Sequence, residues 1–174
     1  MLTLQATAIA HHQAVRAIVG GERLTLLDIG TEQVWVSVSS MAGDVQALGL
    51  EIGTERTARE RLHHSPPRRA EFETVIEPIE DEITRLVPRL PPNSRLMTND
   101  TGVRAIAAMA GKGGTGRITL HLSDIEQVFA RLAAMVMGQP ASVAGVPQDN
   151  AFAVRLIVLR EFLHHLGFEE ITVL

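Results

Sequence analysis

At 174 residues, with 45% hydrophobic and 21% charged side chains, the chain has the makeup of one ordinary globular domain with room for a sizeable core. Twenty acidic residues against 16 basic ones, a net charge of -4, argue against nucleic acid or an anionic membrane as the main partner, and the lack of cysteine excludes disulfides and thiolate chemistry. No apolar run approaches the ~20 residues that span a bilayer, and the start MLTLQATAIAHHQ lacks the basic segment of a secretion signal, so a cytoplasmic location is expected.

Thr3–Val19, rich in alanine, predicts a helix stopped by Gly20-Gly21. Three strands in a meander are expected next. The apolar run Leu24, Leu26 and Leu27 ends in Asp28-Ile29-Gly30. Beyond a short polar turn, Val34, Val36 and Val38 alternate with Trp35, Ser37 and Ser39, the period-2 pattern of a half-buried strand. A third alternating run, Val45–Ile52, follows a turn at Met41–Asp44. Thr54–His63 reads as a short helix ending before Ser65-Pro66-Pro67. Arg69–Val87 reads as a longer one, with Phe72, Val75, Ile76, Ile79, Ile83, Leu86 and Val87 on one stripe and a Pro78 that removes one backbone hydrogen bond.

Pro91-Pro92 closes that segment, Arg95–Thr98 is a short buried strand, and Thr101–Ala110 is a helix. Gly111–Arg117 is a flexible loop before a strand-like run. It is not a nucleotide-binding Walker loop, because no Gly-Lys-Ser/Thr leads into a helix. Ser123-Asp124-Ile125-Glu126 has the form of a capping box for a helix reaching about Met137. Gln139–Gln148 is a loop, and Asp149 caps a final helix, Asn150–Leu166, stopped by Gly167, before a closing strand Ile171–Leu174. The expected fold is α/β, a single domain over 1–174, with a mixed five-stranded sheet and flanking helices.

Several stretches, in order, resemble the second lobe of the exopolyphosphatase and guanosine pentaphosphate phosphohydrolase family. Leu27-Asp28-Ile29-Gly30 resembles its phosphate loop, Asp-Ile-Gly-Gly-Gly-Ser. Leu50-Glu51-Ile52-Gly53, with Arg56 beyond, resembles its Leu-Pro-Leu-Gly segment and following arginine. Thr101-Gly102-Val103-Arg104-Ala105 resembles the end of a second loop, Gly-Gly-Thr-Ala-Arg-Ala. Leu122-Ser123, and Val146-Pro147 before a helix ending at Leu166-Gly167, also match. The resemblance implies a ribonuclease-H-like lobe of the actin-like ATPase superfamily. It also implies a chain that begins where the family's second lobe begins and lacks the first.

The chain departs from the family where the resemblance would put chemistry. A Ser-Gly-x-Glu-Glu-Ala-Arg motif, whose glutamate is thought to position the attacking water, aligns with Thr3-Leu4-Gln5-Ala6-Thr7-Ala8-Ile9 and has no carboxylate. Two glycines and a serine of the first loop become Thr31, Glu32 and Gln33. The Gly-Gly of the second becomes Asn99-Asp100, beside Thr101. Side chains there hinder a backbone from wrapping an oxyanion, and the added carboxylates repel one.

Asp28 is read as a strand-end residue capping its turn; in the family's chemistry it would organise a metal-bound water. Asp28, Thr31, Glu32 and Asp100 would form an acidic metal pocket if the two tips converged. The adjacent pairs His11-His12, His63-His64 and His164-His165 point about 100° apart on a helix and do not chelate as pairs. Only Arg155, Arg160 and Glu161 interrupt the apolar residues of Ala151–Leu163. That helix is either central and buried or also an association surface. Phe152 and Ile157, which replace an aspartate and a glycine of the family, would form such a surface.

The expected function is that of a non-catalytic relative acting through protein association, as a homodimer or with another chain, without cofactor, catalytic residues or resident metal. Two alternatives stay open. One is a phosphatase acting on polyphosphate or guanosine penta/tetraphosphate, with Mg2+ and a separate first-lobe chain; the other is an anion- or nucleotide-sensing module.

Overall fold

A computed structural model describes residues 3–20, 23–39 and 43–174. The predicted helix stop at Gly21 and the Met41-Ala42 part of the predicted turn lie outside these residues. The order is α1 (Leu4–Val19), β1 (Leu24–Ile29), β2 (Val34–Ser39), β3 (Val45–Leu50), α2 (Thr54–Arg61), α3 (Arg69–Thr84), β4 (Arg95–Thr98), α4 (Thr101–Met109), β5 (Ile118–His121), α5 (Leu122–Val136), α6 (Ala141–Ala144), α7 (Asn150–Leu166) and β6 (Glu170–Val173). The sheet order is β3-β2-β1-β4-β6-β5. The meander β1-β2-β3 is antiparallel, β4 lies parallel to both β1 and β6, and β5 is antiparallel to β6.

Helix ends follow local chemistry. The Thr3 hydroxyl accepts from Ala6 N (3.2 Å), Asp149 accepts from Ala151 N and Phe152 N, and Gly167 ends α7 at φ 72°, in the left-handed region that glycine adopts without a Cβ penalty. Pro78 sits inside α3 without ending it.

Both faces of the sheet are covered. Leu24 and Leu26 pack with Val15 and Met97 beneath α1. Leu27, Ile29, Val34 and Val36 face the larger core around α7. The opposite side of β2, expected to be half-exposed, is buried: Ser37 and Ser39 lie under α1, and Ser37 Oγ is hydrogen-bonded to buried His12 Nδ1 at 2.9 Å. Helix α7 touches α2, α3, α4 and α5, which is why it is apolar nearly all round. Burying a large apolar side chain there contributes roughly 1.5–3 kcal/mol relative to exposure.

Four sequence expectations are corrected. The sheet has six strands, because Ile118–His121 pairs with β6 along its whole length. Its inward Ile118 and Leu120 are too few to mark a strand without that partner. Helix α5 starts two residues early, at Leu122 with His121 as its cap; Asp124, not Glu126, closes the box by accepting from His121 N (2.8 Å), and Glu126 instead pairs with Arg160 at 2.9 Å. A short helix, α6, lies within the predicted loop at 139–148. Ile157 is fully buried and is core, not association surface, while Phe152 is half-buried and packed on that core. Among the described residues, no helix is long and apolar enough to cross a membrane.

Candidate functional site

Two strand tips lie side by side because β1 and β4 are parallel neighbours. At the first tip the chain reverses over Gly30–Gln33. The turn is clamped by α2: Gly30 O accepts from Thr54 N (3.0 Å), and Thr31 O accepts from Glu55 N (2.9 Å) and Arg56 N (3.1 Å). The first-turn N–H groups of α2, which would otherwise attract an anion, are thus spent on the turn's own carbonyls. Gly53 permits this approach, since a Cβ there would lie 2.1 Å from Glu32 C and 2.4 Å from both Gln33 N and Thr31 O. Side chains knit the outside: Gln33 donates to Glu51 (2.5 Å), Arg56 pairs with Glu51 and with Glu60 (3.2 Å), and exposed Glu32 pairs with Arg59 (3.2 Å).

At the second tip Asp100 caps α4. Its Oδ1 accepts from Gly102 N (2.6 Å) and Val103 N (3.1 Å), so these N–H groups are also occupied. Arg155, from the second turn of α7, closes over the carboxylate. Its Nη1 lies 3.2 and 3.1 Å from the two Asp100 oxygens and 3.3 Å from Ile29 O. One guanidinium therefore ties both tips together, with the Asp100 side chain only 7% exposed. Gly102 makes room, because a Cβ there would fall 2.3 Å from Arg155 Nε. Asn99 Nδ2 donates to His11 Nε2 at 2.6 Å, bringing α1 to the same place. Thr101, the first residue of α4, is exposed.

Strand alternation turns Asp28 toward the α1 side, the face that Leu24 and Leu26 also take. Burial, and then the like charge of Asp100, push its carboxyl above the ordinary range, while His11 and Arg155 oppose the shift. Asp28, Asp100, His11 and Arg155 thus act as one electrostatic group.

The two tips converge, yet Asp28, Thr31, Glu32 and Asp100 do not make the acidic metal pocket expected from such convergence. Thr31 and Glu32 are exposed, Glu32 reaching Arg59, and Asp100 closes on Arg155. Among the described residues, Asp28, Glu32 and Asp100 do not gather within ligating distance. Magnesium, which the enzymatic alternative would need, requires converging oxygens, and these residues do not fit it. Sequence reasoning found Asp28, Asn99 and Asp100 but missed Arg155 and His11. A charged residue one turn inside an otherwise apolar helix was the available signal for Arg155. His11 had none, since its neighbour His12 is the buried member of the pair.

No protein-family model matches the chain, and no curated protein sequence matches it. Solved structures do. A Ppx/GppA phosphatase of Aquifex aeolicus, the type II variant, is 13% identical with a TM-score of 0.77, over 99% of this chain and 60% of that one. An exopolyphosphatase from Cytophaga hutchinsonii is 18% identical with a TM-score of 0.71, over 96% of this chain and 59% of that one. An exopolyphosphatase-like protein is 14% identical with a TM-score of 0.61, over 86% of this chain and 52% of that one. The chain spans about three fifths of the length of the first two. Its fold is that of the Ppx/GppA exopolyphosphatases, the one the motifs implied.

Proposed function

We propose that this chain is a non-hydrolytic relative of the exopolyphosphatase fold that acts by protein association, as a homodimer or with another chain. The Asp100 carboxylate, seated on the first N–H groups of α4 and locked there by Arg155, carries this reading. A phosphoryl group would need those donors, and would meet a buried carboxylate instead. Losing a single oxyanion donor costs about 10²–10³ in rate; here the donors of two helix starts are taken internally. Association is supported by apolar side chains left at the surface. Leu4 (66% exposed) and Ile18 (73%) lie on one face of α1 by the helical period.

Two measurements test the reading. Purified protein with magnesium or manganese releases no phosphate from polyphosphate or guanosine pentaphosphate, and sedimentation at micromolar concentration shows a species heavier than 18.9 kDa. The raised carboxyl of Asp28 is the observation that favours a phosphohydrolase, working with a separate first-lobe chain. Turnover that disappears in Asp28→Ala establishes that alternative and overturns ours. Micromolar binding of phosphate or a guanine nucleotide, sensitive to substitution of Thr31, points instead to the sensing module.

A further inference from the structure

The geometry points to a binding site for one divalent transition-metal ion, of the zinc type, formed by Glu80 of α3 with Glu161 and His165 of α7. Their donor atoms all lie within 4.8 Å of one another. His165 Nε2 is 3.1 Å from Glu161 Oε2 and 3.3 Å from Glu80 Oε1. Donors bound tetrahedrally at ~2.0–2.2 Å from zinc are separated by roughly that much. Glu161 and His165 stand at i and i+4, so α7 presents them together, while Glu80 approaches from the helix packed alongside.

Three further observations separate this cluster from a surface ion pair. First, Glu161 is 2% exposed, more deeply buried than even the Asp100 carboxylate, in a helix whose interior is otherwise hydrocarbon. Second, its two oxygens are divided. Arg160 Nη1 holds Oε1 at 2.5 Å, which turns Oε2 toward His165 and Glu80. Arg160 is itself fixed, by Glu126 at 2.9 Å and by stacking 4.6 Å over the Phe129 ring, as supporting partners fix the ligands of metal sites. Third, positive charge is scarce there: Glu126 and Glu161 share one guanidinium, that of Arg160, and Glu80 meets His165. A divalent ion would supply it. One nitrogen and two oxygen donors suit zinc or cobalt better than magnesium or calcium. His165 also borders a cavity of about 300 Å³ lined by Pro91, Asn93, Ser94 and Phe168.

The test is calorimetric titration of metal-free protein with Zn2+, repeated with Co2+ while its visible absorption bands are followed. Wild type is expected to take up one ion per chain saturably, and Zn2+ is expected to raise its Tm. Glu80→Gln, at a 42% exposed side chain, should leave the fold intact by circular dichroism, and it and His165→Asn should each weaken binding at least ~10-fold and abolish the Tm rise. His63→Asn, at an exposed histidine outside the cluster, should bind as wild type does. The site is overturned if wild type shows no saturable uptake, if Glu80→Gln or His165→Asn binds as tightly as wild type, or if His63→Asn loses the ion equally.

Discussion

Gly102→Ala should destabilise the protein, although it is a glycine-to-alanine change in the first turn of a helix. Helix propensity alone favours alanine there by up to ~1 kcal/mol. The structure reverses the sign, because the new Cβ would lie 2.3 Å from Arg155 Nε and 2.5 Å from its Cδ, and the guanidinium must leave. Its departure strands Asp100 and releases Ile29 O. Breaking a fully buried pair costs about 3–5 kcal/mol. Arg155 keeps 20% of its side chain exposed, which places this loss nearer ~2–3 kcal/mol. Set against the propensity gain, a net loss of about 1–2 kcal/mol remains. For a chain of this size that lowers Tm by roughly 2–8 °C. The assay is a double-mutant cycle with Arg155→Ala, which removes the atoms a Cβ at 102 would strike, read by thermal and urea unfolding. In the Arg155→Ala background the clash is gone, and Gly102→Ala should be neutral or stabilising. A higher Tm for Gly102→Ala alone, or the same shift in both backgrounds, would refute the coupling of Gly102, Arg155 and Asp100.

The remaining predictions concern the turn clamp and two titrating groups. Gly53→Ala places a methyl against the backbone of 31–33, which has no flexible end to move aside, so a loss of about 2–3 kcal/mol is expected in thermal unfolding; an unchanged Tm would contradict the clamp. A hydrogen bond with His64, then one from the Arg68 backbone, holds the Glu71 carboxyl at about 2 against its usual 4.5. Because the folded value is the lower one, this stabilisation is complete above pH 4.5 and lost as pH falls toward 2, so Glu71→Gln should unfold with a shallower acid dependence. Burial first, with Arg16 and His11 adding, pulls His12 below its ordinary 6.5, and its Nε2 has no hydrogen-bond partner among the described residues. The unfolded chain therefore binds the proton more readily. Stability should be greatest above pH 6.5 and decline below it by at most ~1.4 kcal/mol per pH unit. His12→Leu should flatten that slope, and an unaltered slope would show that another group titrates there.

Local signals were enough for most elements. Asp149 and Gly167 bracket α7 at the residues where the helix begins and ends, Asp100 caps α4 as its position before the helix implies, and the alternating valines mark β2 in register with both neighbours. Caps and periodicities are written in a few consecutive residues, so one sequence suffices to read them. What depends on distant partners was not written there. Strand β5 exists because β6 pairs with it. Serines that alternate like a solvent face are buried because α1 covers them. Ile157 fills the core because four helices surround α7. The candidate site divides in the same way. The chain itself shows Asp28 and Asp100 at two strand ends. The charge that joins them comes from Arg155, 55 residues beyond Asp100, and the histidine beside them comes from 88 residues before Asn99. Sequence decided which carboxylates stand at the tips; only folding decided that a guanidinium would occupy the space between them, because an ion pair forms where chains meet in space, however far apart its members lie along the backbone.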